Sequence, residues 1–285
     1  MRISLPARRR AIPPPERGQR DTVVGGVRWR SRETEGRGDP VVFVHGLLAS
    51  SATWEDALEP ASAGRPGIAV DLPGFGCSDR PWPFDYSVDG QAQGLVDFLD
   101  ARGIERAVLV GNSLGGAAVM RVAAEHPERV AALVLVDAAT SEAPIVWPVR
   151  VMRSPLLGEL SLSLAARPFV AYGLRRWLFA DSGRVTSHAI DDAWFPLTIP
   201  GTRRAALAAI RSDPRRYVGL EDRLRVPTLI VWGGKDRLIP VSEGERLAAR
   251  IPGARLVVLP DAGHLPQREL PEAFARVVAG FVSRH

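Results

Sequence analysis

The stretch GNSLGG, Gly111 to Gly116, holds a single serine between glycines where the sequence pattern changes. The residues before it, Ala107 to Val110, form a short apolar run with branched side chains, which predicts a buried strand. Ala117 to His126 has the pattern of a helix, and Pro127 follows its expected end. We therefore predict that Ser113 lies at a sharp turn from a strand into a helix.

Such a turn would suit Ser113 to covalent chemistry. Gly111 and Gly115, two residues on either side, would let the strand and the helix approach closely. The N–H groups of the first helical turn have no helical partners, and the helix dipole is positive there, so a developing oxyanion would be stabilised. A glycine-rich turn with a chance serine has the same pattern. The interpretation of Ser113 as a nucleophile therefore depends on whether a base and an acid follow it.

The composition sets limits on the class of protein. The chain has 285 residues, 46% of them hydrophobic, which fits one domain with an insertion better than two independent domains. Its net charge is +5, and arginines interleave with acidic residues, so we expect a solvated surface and no nucleic-acid partner. Residues 1–20 are basic and proline-rich without apolar periodicity, so we expect a disordered tail rather than a secretion signal.

Several further expectations are negative. Cys77 is the only cysteine, which excludes an intramolecular disulfide and favours a reducing, cytoplasmic compartment. The longest apolar run, around residues 130–136, is too short to span a bilayer. No cysteines and histidines cluster with metal-site spacing, so we expect no metal and no cofactor. The expected partner is a small-molecule substrate, and the oligomeric state stays open.

Strand and helix patterns alternate along most of the chain. The expected strands include the segments VVFV, GIAV, AVLV, VAALVLV, TLIVW and RLVVL. Alternation of this kind predicts an α/β fold with a mostly parallel, doubly wound sheet covered by helices on both faces. Ligands of such sheets bind beyond the carboxyl ends of the strands.

Three chemically suitable side chains follow three of these strands, in the order Ser113, Asp236, His264. An imidazole must accept the serine proton during attack and later deliver it to the leaving group, and a buried carboxylate fixes the imidazole tautomer. The order serine, acid, histidine is that of a known catalytic triad. Asp137, at the end of VLVLVD, is a rival acid because it also follows a strand close to the serine turn. We predict that Asp236 is the acid.

The chain from about Val23 to its C-terminus resembles the α/β-hydrolase superfamily, in its group of small capped serine hydrolases. The motifs that carry the resemblance are VVFVHGLLASSATW, DLPGFGCSDRP, GNSLGG, PTLIVWGGKDRLIP and PDAGHLPQRELPEAF. The resemblance implies that the backbone N–H groups of Leu47 and Leu114 form the oxyanion hole. His45, in the segment HG, is interpreted as a structural residue of that loop.

The segment from Thr140 to Arg211 interrupts the alternation, at the place where the resembling enzymes insert a helical cap. We therefore expect a hydrolase core of residues 21–139 and 212–285 with a helical cap of residues 140–211. The aromatic residues of this segment either form its own core or face the substrate. Under the second interpretation, they would form an apolar substrate pocket that includes Trp147, Trp177 and Trp194.

The residues also narrow the reaction. Resembling enzymes that open epoxides or displace halide use an aspartate as the nucleophile, whereas this chain has Ser113. Resembling enzymes that hydrolyse C–C bonds usually have a tryptophan after the catalytic histidine, whereas Leu265 follows His264. We therefore predict hydrolysis of an ester or thioester through an acyl-enzyme intermediate. A C–C-bond hydrolase, a biosynthetic cyclase or acyl transferase, and a small-ligand receptor remain as alternatives.

Overall fold

Two glycines turn the start of the sheet into a hairpin. The computed structural model describes residues 11–212 and 218–285. Strands β1 (Gln19–Val24) and β2 (Val27–Thr34) pair antiparallel, and Gly25 and Gly26 between them both have positive φ, at 54° and 83°. A two-residue turn of this type needs positive φ at both positions, which glycine adopts without steric strain. Residues 1–10 of the expected tail lie outside the described residues, and β1 begins at Gln19.

Within the described part of the chain, eight strands form one sheet in the order β1-β2-β4-β3-β5-β6-β7-β8. Every pair of neighbouring strands among β3 to β8 is parallel. Strand β2 pairs with β4 and runs antiparallel to it. This topology confirms the predicted α/β fold with a mostly parallel sheet. The bounds of the remaining strands are β3 Val41–Val44, β4 Gly67–Val70, β5 Ala107–Asn112, β6 Val130–Val136, β7 Thr228–Gly233 and β8 Arg255–Leu259.

Apolar side chains of the central strands pack on both faces of the sheet. In β3, Val42 and Val44 belong to one core cluster, whereas Val41 and Phe43 belong to the other. The first cluster is completed by helices α2 (Val88–Ala101), α3 (Leu114–Glu125) and α9 (Val241–Arg250), and the second by helices α1 (Leu58–Ala61) and α11 (Pro271–Val282). A strand buried on both faces must be apolar at every position, which explains the unbroken runs in the sequence.

Between β6 and β7 the chain is helical. Outside residues 213–217, five α-helices of seven to ten residues follow one another in this described segment, and a short π-helical turn, Leu174–Leu178, continues the third. They are α4 Trp147–Arg153, α5 Leu157–Ser163, α6 Arg167–Gly173, α7 Ser187–Trp194 and α8 Thr202–Arg211. A short helix α10, Pro266–Glu269, precedes α11. Throughout residues 11–212 and 218–285, no helix combines the length and the apolar character of a membrane span.

Candidate active site

Ser113 occupies the predicted turn between β5 and α3. Its φ of 53° and ψ of −120° are strained for a residue with a side chain. Three backbone hydrogen bonds hold this conformation. The Ser113 N–H donates to the Val136 carbonyl at 3.0 Å, and the Ser113 carbonyl accepts the N–H groups of Ala139 at 2.9 Å and Ala117 at 3.2 Å. The side chain is partly exposed. The turn therefore presents a hydroxyl at the carboxyl edge of the sheet.

Glycine is required at the two motif positions around Ser113. A Cβ atom on Gly111 would lie 2.4 Å from the Gly115 carbonyl oxygen, and a Cβ atom on Gly115 would lie 2.3 Å from the Val44 carbonyl oxygen. Both neighbours are backbone atoms, which cannot move aside as a flexible side chain would. The close approach of helix α3 to β5 and β3, expected from the sequence, is thus the reason for the glycines.

His264 and Asp236 form a hydrogen-bonded pair at the same edge. His264 follows β8, its side chain is almost fully buried, and its Nδ1 lies 2.7 Å from Asp236 Oδ2. Asp236 Oδ1 accepts hydrogen bonds from the N–H groups of Leu238 at 2.7 Å and Ile239 at 3.1 Å. Burial acts to raise the pKa of the Asp236 carboxyl, but the charge and hydrogen bond of His264, together with these N–H groups, outweigh burial and lower it.

The lowered pKa keeps Asp236 ionised, and an ionised carboxylate only accepts hydrogen bonds. Nδ1 of His264 must therefore carry the proton of their shared bond, which leaves Nε2 of the neutral ring as an acceptor. The arrangement can take a proton from a hydroxyl placed at Nε2.

Asn112 ties the serine turn to the histidine loop. Its Nδ2 donates to the carbonyl of Val136 at 3.1 Å and to that of His264 at 3.2 Å. Sequence reasoning missed this residue, because the position before the serine in the motif carries no residue preference.

In the described part of the chain, Ser113 Oγ forms no hydrogen bond of 3.5 Å or less with His264. Such bonds are often long without substrate and tighten when it binds.

Asp137, the rival acid, has a different environment. Its carboxyl is fully buried, and Oδ1 accepts the Gly233 N–H at 2.9 Å. The hydrogen bond to His264 is made by Asp236. The structure therefore brings both candidate acids to the same edge and pairs only Asp236 with the imidazole.

The two expected oxyanion donors belong to segments next to Ser113. Leu114 is the first residue of α3, and Leu47 follows β3 by three residues. Within the described residues, the backbone N–H groups of Leu47 and Leu114 form no hydrogen bond. A Cβ atom on Gly46 would lie 2.9 Å from the Ser113 Cβ, so the Leu47 loop passes directly over the serine.

His45 holds the Leu47 loop in place. Its ring is fully buried, with Nδ1 2.7 Å from the Gly46 carbonyl oxygen, while the Leu72 N–H donates to Nε2 at 3.1 Å. Burial lowers the pKa of His45, so the imidazole stays neutral. A neutral ring that donates through Nδ1 and accepts through Nε2 satisfies both contacts, in keeping with the structural role expected for it.

The helical segment contacts the histidine loop directly. The His264 N–H donates to the Leu178 carbonyl at 2.8 Å. The buried Glu269 carboxylate accepts the N–H groups of Gly263 at 2.6 Å and Ala180 at 2.7 Å, and so joins the two segments. The sequence contains no specific signal for Glu269, since an acidic residue five positions after a histidine is common. The end of the π-helical turn therefore positions the loop that carries His264.

The three tryptophans predicted for a pocket have unequal exposure. Trp147, at the start of α4, is 69% exposed. Trp177 and Trp194 are partly buried, and the Arg176 guanidinium lies 4.6 Å from the centre of the Trp177 ring. A surface groove of about 460 Å³ between Trp82 and α8 contains none of the three and none of Ser113, Asp236 and His264.

Among the residues that the structure describes, two clusters bring together side chains of the types that bind metals. In each cluster the potential ligand atoms lie within 4.8 Å of one another. In both clusters a histidine already contacts acidic members: His188 contacts Glu55 and Asp192, and His264 bonds to Asp236. The clusters are Glu55, His188 and Asp192 at the surface, and Asp137, Asp236 and His264 at the candidate site.

Comparison with known proteins gives a consistent result. A sequence model described as the alpha/beta hydrolase family matches residues 41–277. The 2-hydroxymuconate semialdehyde hydrolase of Pseudomonas sp. (strain CF600) is 32% identical over 94% of this chain and 95% of its own length. The pimeloyl–acyl-carrier protein methyl ester esterase of Neisseria meningitidis serogroup B is 32% identical over 89% of this chain and 97% of its own length. A solved meta-cleavage product hydrolase from Pseudomonas fluorescens IP01 superposes with a TM-score of 0.77 at 26% identity, covering 93% of this chain and 97% of that chain.

Proposed function

The chain belongs to the alpha/beta hydrolase family, and on that premise we propose that it is a serine hydrolase of a small, largely apolar ester or thioester. Ser113 is the nucleophile, His264 the general base and acid, and Asp236 the carboxylate that orients His264. The observation that carries the proposal is the 2.7 Å contact between His264 Nδ1 and Asp236 Oδ2, beside the strained Ser113 turn.

In the first half of the reaction, Ser113 Oγ attacks the carbonyl carbon of the substrate and its proton passes to His264 Nε2. The Leu47 and Leu114 N–H groups donate to the oxyanion of the tetrahedral intermediate. One such donor is worth about 3–4 kcal/mol in the transition state. The intermediate collapses, the bond to the alcohol or thiol breaks, and the leaving group takes the proton from His264.

In the second half, water attacks the acyl-enzyme. His264 accepts a proton from the water as its oxygen bonds to the acyl carbon, and returns it to Ser113 Oγ as the acid leaves. Asp236 stays ionised throughout and stabilises the imidazolium that forms twice in the cycle. No metal or cofactor enters these steps.

Residues 140–211 are proposed to act as a cap over the site. The support is the contact of this segment with the catalytic loop, where Leu178 accepts the His264 N–H and Glu269 bonds to Ala180. A segment held there would border the space in front of Ser113, so its inner side chains would select the acyl or aryl group.

Hydrolysis of a C–C bond is the second candidate. It is favoured by the similarity to the 2-hydroxymuconate semialdehyde hydrolase and the meta-cleavage product hydrolase. The similarity to a methyl ester esterase is equally high, at 32% identity, and Leu265 stands where C–C hydrolases usually have tryptophan. Ester hydrolysis therefore remains the first proposal.

The test is a panel of aryl esters with acyl chains of rising length, measured for the wild type and for Ser113→Ala. We expect turnover of the shorter esters by the wild type, an acyl adduct on Ser113 in mass spectra of quenched reactions, and neither in the variant. Circular dichroism would verify that Ser113→Ala is folded. Labelling of the folded variant by a serine-directed phosphonate would contradict the assignment of the nucleophile.

The same panel, extended by a ring-fission product, separates the other classes. A receptor would bind a ligand with little or no turnover of activated esters. A C–C hydrolase would cleave a ring-fission product much faster than any ester, and a cyclase or acyl transferase would give a product without added water. Product analysis in ¹⁸O-labelled water separates hydrolysis of either bond from cyclisation or acyl transfer, because only hydrolysis places the label in the released acid.

A further inference from the structure

Asp137 is a buried carboxyl that the proposed mechanism does not use. Its side chain is 0% exposed, and its backbone has a positive φ of 41°. The Asp137 N–H donates to the Val231 carbonyl at 3.1 Å, and Oδ1 accepts the Gly233 N–H at 2.9 Å. Within the described residues, Oδ2 has no hydrogen-bond partner, although it is shielded from water. A buried oxygen without a partner is costly, so this environment needs an explanation.

The nearest charged groups belong to the candidate site. Ligand atoms of Asp137, Asp236 and His264 lie within 4.8 Å of one another, and the charge of the buried Glu269, at the end of α10, also acts on Asp137. Burial raises the pKa of Asp137 well above its ordinary value, and the negative charge of Asp236 raises it further. Two carboxyl groups this close in a buried site cannot both be ionised without strong repulsion, so one of them must hold a proton.

The hydrogen bonds show which carboxyl has room for the proton. Asp236 accepts three donors, from Leu238 and Ile239 at Oδ1 and from His264 at Oδ2. Three donors favour the ionised form. Asp137 accepts one donor, at Oδ1, and its Oδ2 is the oxygen without a partner. A proton on Oδ2 would turn this orphan acceptor into a donor, and the neighbouring Asp236 carboxylate could accept the bond.

We propose that Asp137 is a positioning residue: a neutral carboxylic acid whose Oδ2–H donates to the Asp236 carboxylate and holds that carboxylate against His264. The proposal rests on the proposed function, because it assigns Asp137 to the support of the triad acid. The donated bond removes the unsatisfied oxygen, relieves the repulsion between the two carboxyls and gives Asp236 a fourth fixed partner. The negative charge that stabilises the imidazolium then remains on Asp236.

The first test measures the proton itself and needs no activity. In the unfolded chain, Asp137 loses its proton above the ordinary aspartate pKa of about 3.9. If folded Asp137 is neutral, the wild type therefore takes up one proton on folding above that pH, whereas Asp137→Asn does not. The ratio of the folding equilibrium constants, variant over wild type, should then rise up to tenfold per pH unit above about pH 5, until the folded carboxyl titrates. Denaturant titrations from pH 5 to 8, in EDTA so that no cation pairs the carboxyls, give this ratio.

Asp137→Ala is the companion variant, because it is also neutral but has neither donor nor acceptor. It should show the same pH dependence of the ratio, at lower absolute stability. A ratio that is independent of pH for both variants would overturn the proposal, since the folded protein would then hold no additional proton at this pair.

The second test locates the proton by the pH profile of kcat/KM. Asp137→Asn replaces one neutral donor by another, so kcat should stay within about twofold and the midpoint of the acid limb should not move. Asp137→Ala should lower kcat about tenfold with little change in KM, the loss expected for one hydrogen bond to a charged group. An acid limb displaced in Asp137→Asn would overturn the proposal, because it would mean that residue 137 carries the charge or that Asp236 carries the proton.

The two tests separate this proposal from the proposed function. If the protein hydrolyses no ester, the stability ratio still reports whether the buried pair holds a proton. If Ser113→Ala abolishes turnover and the ratio is flat, the hydrolase assignment stands and Asp137 has no such role.

Discussion

Among single residues, Asp236 is expected to have the largest effect on catalysis apart from Ser113 and His264. Asp236→Asn places an amide where the structure has a carboxylate 2.7 Å from His264 Nδ1. The amide N–H would favour the imidazole tautomer with its proton on Nε2, which cannot accept the serine proton. We expect kcat to fall by about 10⁴-fold, as for the same change in a serine protease. Steady-state kinetics with an aryl ester measure it.

Asp137→Asn is the matched control for this prediction. The two aspartates lie in the same cluster, but only Asp236 bonds to His264. If Asp137→Asn removed activity and Asp236→Asn kept it, the triad acid would have to be reassigned to Asp137.

The pH dependence of kcat/KM should reflect one group on its acid side. The proposed base, His264, needs a free lone pair on Nε2 to accept the serine proton, so activity should fall as the pH decreases. The pKa of Asp236 lies below its ordinary value, so this carboxyl remains ionised through that range and adds no second proton. The plot of log kcat/KM should have a limiting slope of one. A slope of two would mean that Asp236 titrates together with the imidazole.

Among the elements, the junction of β5 and α3 should tolerate an added methyl group poorly. Gly115→Ala would place a Cβ 2.3 Å from the Val44 carbonyl oxygen and force α3 away from β3. We expect a loss of about 1–3 kcal/mol in the free energy of unfolding, together with reduced kcat, because the Ser113 turn moves with the helix. Denaturant unfolding and ester kinetics measure the two effects.

Gly280→Ala provides the control for that helix substitution. Gly280 is an exposed position inside α11, and a Cβ atom there would meet nothing within 4 Å. Alanine should therefore stabilise the protein by about 0.5–1 kcal/mol through its higher helix propensity and leave kcat unchanged. Equal effects of the two substitutions would show that the close approach at Gly115 is not limiting.

For the whole molecule, we expect the helical segment rather than the sheet to decide substrate choice. The proposed nucleophile, base, acid and oxyanion donors lie on the sheet or the loops beside it, and they would suit many acyl groups. Replacing Trp147, Trp177 or Trp194 by alanine should change the ranking of acyl lengths for at least one variant, because one methylene in an apolar pocket is worth about 1–3 kcal/mol. Trp147 should have the smallest effect, because it is 69% exposed.

The measurement for these tryptophans is kcat/KM over the ester panel, with thermal unfolding in parallel. An acetate ester, which does not reach a distant pocket wall, serves as the internal reference. If each of the three variants stayed folded and lowered kcat/KM by the same factor for every ester, the tryptophans would be packing residues. The pocket that selects the substrate would then lie elsewhere.

Much of the fold and the outline of the site followed from local patterns in the sequence. Unbroken apolar runs marked the central strands, since a strand covered on both faces has no polar side. The GNSLGG stretch marked the turn at Ser113, because only glycine permits the backbone contacts at positions 111 and 115. These features depend on residues close together in the chain, so they could be predicted from the sequence alone.

Only the tertiary structure decided which distant groups meet. Asp137 and Asp236 both follow strands, and nothing in their local sequence shows that Asp236 bonds to His264 while Asp137 lies buried beside it with an unpartnered oxygen. The bond from Asn112 to the His264 carbonyl and the contact of Leu178 with the His264 N–H were equally unpredictable. The physical reason is that a hydrogen bond depends on direction and on tenths of an ångström. Strand order, loop path and helix docking set these quantities together, whereas hydrophobic periodicity records only which face of each element is buried.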